Sequence, residues 1–166
     1  SFMKLQNIFR RSIHIEARIE KLGYKLPPLP PTPKGSYINF IRYGNILHIS
    51  GHLPQTIDGK LIKGRLGEDM SIEDGQYAAR LAALQMLATV KKACDDLDNV
   101  KKIIKVIGFV NSTNDFTSQA TVMNGCSDFL GDLFGLEIGQ HSRSAIGVNV
   151  LPLGASIEIE AIFEVK

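Results

Sequence analysis

Residues 141–162 read HSRSAIGVNVLPLGASIEIEAI, and a single arginine, Arg143, stands in a run whose other residues suit burial. A guanidinium group offers a planar fork of donors that matches a carboxylate or a phosphate. Two acids, Glu158 and Glu160, follow on the next apolar run. A desolvated carboxyl group can move protons near neutral pH, which makes Glu158 a candidate for proton transfer. Together these residues suit the capture of a small acid followed by proton transfer. They equally suit a solvated strand face on which Arg143 pairs with Glu164.

The elements that would carry these residues are two strands. In IEIEAIFEV, residues Ile157, Ile159, Ala161, Phe163 and Val165 share one face, and Glu158, Glu160, Ile162 and Glu164 share the other. PLGA, residues 152–155, reads as the turn of a hairpin. Pairing across that turn sets Asn149 opposite Glu158, Gly147 opposite Glu160 and Arg143 opposite Glu164. Parity then puts Arg143 on the face of Glu158, roughly 20 Å away along the hairpin. One chain cannot join them at that distance. The small residues Ala145 and Gly147 on the same face leave room for a second subunit.

Upstream, IEARIEKLGYKL (15–26) has helical spacing and a stop at Gly23. The proline-rich stretch 27–35 reads as a stiff connection. YINFIRYGNILHISG (37–51) predicts a hairpin turning at Gly44-Asn45, and a third short strand is expected near Lys60–Lys63. Residues 71–100 hold the clearest helix, with Ser71 and Asp74 as a capping pair. Residues 100–113 read as a Val/Ile-rich strand, and 116–135 as a second helix ending at Gly135. The order β-β-β-α-β-α-β-β predicts an α+β fold, a mixed sheet with two helices on one face.

The chain of 166 residues carries a net charge of +2, with 44% apolar and 22% charged residues, an ordinary globular composition. That charge, with no interleaving of aromatic and basic residues, disfavours nucleic acid as a partner. No apolar run is long enough to span a membrane. Cys94 and Cys126 lack metal-like spacing and read as reduced, partly buried thiols, in keeping with a cytoplasmic setting. Residues 3–14, basic and free of acids, fit either an ordinary amphipathic helix or a mitochondrial targeting segment. His48 and His52 fall on one strand face about 13 Å apart, too far to share a metal. His52 reads as a turn residue or a pocket wall. No metal or cofactor site is implied.

The C-terminal run resembles the signature of the Rid proteins, the YjgF-like or L-PSP group, whose pattern is roughly A-R-S-x-V-x-V-x-x-L-P-x-x-x-x-x-E-I-E-A. GSYINFIRYGNILHISGHLP (35–54) and VKKIIKVIGFVNSTNDF (100–116) resemble two further segments of that family. The resemblance runs from about residue 30 to the C-terminus, which sets residues 1–29 apart as an N-terminal helical extension. It implies a chorismate-mutase-like α+β fold and a homotrimer with clefts between subunits.

It also implies a reaction. In such proteins an arginine holds the carboxylate of a 2-imino or 2-enamino acid, and water attack releases ammonia and a 2-keto acid. Arg143 matches that arginine, and Glu158 matches the acid that orients or protonates. Tyr37, Ser50 and Gly51 match residues lining the cleft. Asn124 matches the cleft asparagine only across about four extra residues. Three positions depart from the family pattern: His52 replaces a glutamine, Ala145 a frequent cysteine, and Ser127 an aromatic. The expected activity is an imine or enamine deaminase acting on a small carboxylate-bearing substrate without a cofactor. A non-catalytic, small-acid-binding regulatory trimer is the alternative. Endoribonuclease activity, a label the family carries, is disfavoured by the charge.

Overall fold

The computed structural model describes residues 14–166. Residues 3–13 of the candidate targeting segment lie outside the described residues. Helix α1, Ile15–Lys21, is short, and burial of Ile15 and Ile19 rather than propensity holds it. Its first amide donates to Asp98 Oδ1 at 2.9 Å, and Arg18 donates to the Leu133 carbonyl at 2.7 Å. Gly23, at φ 86°, turns the chain away as expected.

Strands β1 (Phe40–Tyr43) and β2 (Ile46–His52) form the predicted hairpin, with Tyr43 opposite Ile46 and Gly44 at φ 61° in the turn. The third strand expected near Lys60–Lys63 does not form. That segment makes only isolated bridges, Gln55 with Leu61 and Lys63 with Ala155. Gly59 and Gly64, at φ 88° and 143°, bend the chain at both of its ends, so no ladder can propagate.

Helix α2, Ile72–Cys94, starts at Ser71, whose hydroxyl accepts from the Asp74 amide at 3.1 Å. Strand β3, Val100–Asn111, buries Val100, Ile103 and Val106 at a spacing of three. Register shifts between Val100 and Lys102 and between Ile103 and Lys105 bring these residues onto the helix side. Helix α3, Gln119–Gly139, is interrupted at Gly135, φ 75°, where the sequence predicted its end. A final turn follows before β4 (Ser142–Val148) and β5 (Ile157–Val165).

The sheet has five strands in the order β1-β2-β5-β3-β4. Helices α2 and α3 pack on each other and on one face of it. Strands β3 and β4 are parallel, joined by α3 as the crossover that parallel pairing requires. The expected β4–β5 hairpin is therefore overturned. Strand β5 instead pairs antiparallel with β2 on one side and β3 on the other. The physical reason lies in the strands' composition. Ile157, Ile159, Ala161, Phe163 and Val165 are all buried, which a central position under the helices permits. Ser142 and Ser144 on β4 are exposed, as suits an edge.

One core joins the helices to the sheet and includes Ile15 and Ile19 of α1. The opposite sheet face carries no helix and leaves Ile41, Tyr43 and Ile146 exposed. Close approach of α2 and α3 depends on Gly125, where a Cβ would collide with the backbone of Gln76. Gly125→Ala is expected to lower stability by about 1–3 kcal/mol, read as a lower denaturant midpoint. Gly131→Ala, on the same helix with nothing within 4 Å of the added carbon, should leave the midpoint unchanged or raise it.

Candidate functional site

Arg143 sits at the start of edge strand β4, opposite Val106, and points to the helix side. Its Nη1 donates to Asn124 Oδ1 at 3.0 Å and to Ser127 Oγ at 3.1 Å, and its Nη2 donates to the Ala120 carbonyl at 3.2 Å. All three acceptors lie on α3. Asn124 thus reaches the arginine despite the extra residues before it. Of the five guanidinium donors, Nε–H and one hydrogen of Nη2 have no acceptor among the described residues. A groove of about 580 Å³ opens here, lined by Asn124, Ser127, Asp128, Asp132, His141 and Arg143 among others.

His141 bonds the Gly139 carbonyl through Nδ1 at 2.6 Å and Ser127 Oγ through Nε2 at 2.9 Å. Burial holds the ring's pKa below the ordinary histidine value, and the charges of Arg143 and Lys102 push the same way. Cys126 lies beneath the arginine, but burial pushes its thiol up to about 12, which removes it as a nucleophile.

Glu158 lies on the other face of the sheet. Gly51 makes room for it: a Cβ at that position would collide with the Glu158 carboxyl group. A cleft of about 470 Å³ lies over this pair, with Lys34, Tyr37, Ser50 and Glu160 also on its walls. The Ser50 hydroxyl donates to the Ile38 carbonyl at 2.6 Å, and the Tyr37 hydroxyl accepts from the Lys34 amide at 3.3 Å. Burial raises the Glu158 pKa, and the charge of Glu160 raises it further. No hydrogen bond or cation among the described residues offsets either effect.

His52 borders the same cleft, but its ring is turned into the core. It is 2% exposed and bonds Thr89 Oγ1 on α2 at 2.7 Å and the Ser50 carbonyl at 2.6 Å. The register shift between Ile49 and His52 causes this. It moves His52 to the helix side and leaves Ser50 and Gly51 on the open side with Glu158. His48 and His52 therefore do not share a face. Ala145 packs against the core and lines neither opening. Gly147 abuts Ser112 and Gln119 on the helix side. The expectation that these small residues sit on the open face is overturned.

The relation of Arg143 to Glu158 is corrected as well. Val106 lies opposite Arg143, and Phe109 lies opposite Glu158. The two are therefore about 10 Å apart along β3 and about 10 Å across it, on opposite faces of the sheet. Glu164 faces Lys101, 3.6 Å away, rather than Arg143. Sequence reasoning missed the roles of Ser127 and His141. The signal was present in Asn124-x-x-Ser127, one face of a helix, and in His141-x-Arg143, one face of a strand. Among the described residues no three His, Cys, Asp or Glu side chains converge on a metal position. No helix there is long and apolar enough to cross a membrane.

Residues 16–164 match a family model described as "YjgF/chorismate mutase-like, putative endoribonuclease". The chain belongs to the YjgF/chorismate mutase-like family. This YjgF-like chain is 41% identical to protein TCP17 of Trypanosoma cruzi over 92% of its own length and 94% of the relative's. It is 27% identical to a 2-iminobutanoate/2-iminopropanoate deaminase of Dermatophagoides farinae, over 84% of its length and 93% of that protein's. Its fold matches the crystal structure of Atu1372 from Agrobacterium tumefaciens with a TM-score of 0.85 and 39% identity, covering 93% and 96% of the two chains.

Two expectations follow for the acid of this YjgF-like site. A carboxyl whose folded pKa is raised costs no stability below its unfolded pKa, where both states are protonated. It costs stability once the pH has risen through the folded pKa. Glu158→Gln should therefore raise the melting temperature at neutral pH, and the gain should vanish in acid. Gly51→Ala should displace the same carboxyl into the cleft. A 13C-resolved titration of Glu158 would show this as a pKa moved back toward the ordinary carboxylate value.

Proposed function

We propose that this protein hydrolyses small 2-imino or 2-enamino acids to 2-keto acids and ammonia, at clefts between the subunits of a homotrimer. The observation that carries the reading is the division of the site. Arg143 is braced on α3 with unused donors, and Glu158 is half-buried without a cation, each on its own side of the sheet. Neither half can do the chemistry alone. A cleft that joins Arg143 of one subunit to Glu158 of the next completes both. The family membership and the deaminase among its relatives support this reading.

In that cleft Arg143 takes the substrate carboxylate and fixes the adjacent imine carbon. An iminium carbon is already electrophilic. Glu158, ionised, accepts a proton as water adds to that carbon and gives a carbinolamine. The protonated Glu158 then returns the proton to nitrogen. The C–N bond breaks and ammonia leaves as Glu158 takes the hydroxyl proton and the carbonyl forms, and the departing ammonia carries that proton away as ammonium. A carboxyl with a raised pKa suits these transfers. Tyr37 and Ser50 wall the cleft, and Lys34 stands beside them.

The test begins with ammonia release from enzymatically generated 2-iminopropionate. The wild type should accelerate it, whereas Arg143→Ala and Glu158→Gln should each be inactive. Mixing the two inactive variants under conditions of subunit exchange should restore part of the activity, because some clefts then receive both wild-type halves. Sedimentation of the wild type should give a trimer. Absence of turnover, with keto-acid binding that depends on Arg143, would replace the deaminase with a small-acid-binding trimer.

A further inference from the structure

The hydrogen bonds behind Arg143 have a direction that the atoms themselves dictate. The Gly139 carbonyl can only accept, so the His141 Nδ1 that lies 2.6 Å from it carries the proton. In the neutral ring Nε2 is then a bare acceptor. The Ser127 hydroxyl, 2.9 Å away, must give it its hydrogen. That donation turns a lone pair of Ser127 Oγ toward Arg143 Nη1, which donates to it at 3.1 Å. The other Nη1 hydrogen goes to Asn124 Oδ1. Both Nη1 donors are thereby consumed, and Ala120 takes one from Nη2.

The donors that remain are Nε–H and one Nη2 hydrogen, and Nε and Nη2 flank the side-on edge that suits a carboxylate. Without the Ser127 acceptor, Nη1 would compete for the ligand and the plane could rotate. We propose that His141, acting through Ser127, is a positioning residue that presents the Nε–Nη2 edge of Arg143 to the substrate carboxylate. This rests on the reading of Arg143 as a carboxylate receptor and assigns a role to two residues outside the family pattern. The relay starts on the chain leaving α3 and ends on β4, so it also ties the strand to the helix that supplies the acceptors.

The experiment compares the wild type with Ser127→Ala, His141→Phe and the double variant in two readouts. The first is the 15N-edited spectrum of the Arg143 guanidinium, assigned by its loss in Arg143→Lys. The wild type should show distinct Nη1 and Nη2 signals, the mark of a held plane, and each single variant should merge them. The second is the dissociation constant for pyruvate, which each single variant should weaken by about tenfold. The double variant should be no weaker than Ser127→Ala alone, because both changes cut one relay. Signals still resolved in His141→Phe, or losses that multiply in the double variant, would overturn the proposal. Pyruvate affinity unchanged in Arg143→Ala would instead overturn the carboxylate reading, while the guanidinium spectrum would still report on His141.

Discussion

Strand β5 has β2 on one side and β3 on the other, and its odd-numbered residues lie buried beneath the helices. Its even residues are thereby committed to the helix-free face, and Glu158 goes with them. Strand β4 is left at the edge, parallel to β3 and fed by α3, so Arg143 opens toward that helix. A strand has only two faces, and a change of register or partner reassigns every side chain on it. Had β4 paired with β5 as a hairpin, the arginine and the acid would have shared a face. The middle position of β5 sends them to opposite ones, and the Asn124 and Ser127 contacts of Arg143 follow from that.

Much of the architecture was legible because it rests on local periodicity. The Ser71 cap, the Gly44-Asn45 turn and the alternation of IEIEAIFEV each follow from side-chain chemistry within a few residues. The α+β class and the placement of two helices on one face followed from the order of elements. Strand partnership was not legible, because nothing within β4 or β5 states whether the neighbour is sequential or arrives from elsewhere. Bulges were illegible for a related reason. They shift parity without changing composition, which is why His52 turned inward against its expected face. Among the site residues, Tyr37, Ser50, Gly51 and Glu158 gather at one opening and Arg143 and Asn124 at another.

The two openings are opposite in their electrostatics. Around Arg143 the protein spends acceptors: two side chains and a carbonyl brace one cation. His141 stays in place beside that cation because burial disfavours its charged form. Around Glu158 the protein supplies nothing that favours ionisation, and Glu160 opposes it. A cation fully at ease binds an anion without reorganising, whereas a carboxyl ill at ease keeps its proton to higher pH than an ordinary one.

Separation by the sheet has a consequence for both groups. An arginine and a glutamate brought to about 4 Å in one chain would attract by about 4 kcal/mol at an effective dielectric of 20. The arginine's charge would then lower the carboxyl pKa, and the guanidinium edge would be filled by the protein's own acid. Both the proposed carboxylate receptor and the proposed proton carrier would be lost to a structural salt bridge. Placing the groups on opposite faces of one sheet prevents that pairing in every folded copy of the chain. Any approach between them then depends on how two copies dock, and docking can leave a gap the size of a small acid where a flexible pair on one surface would close it.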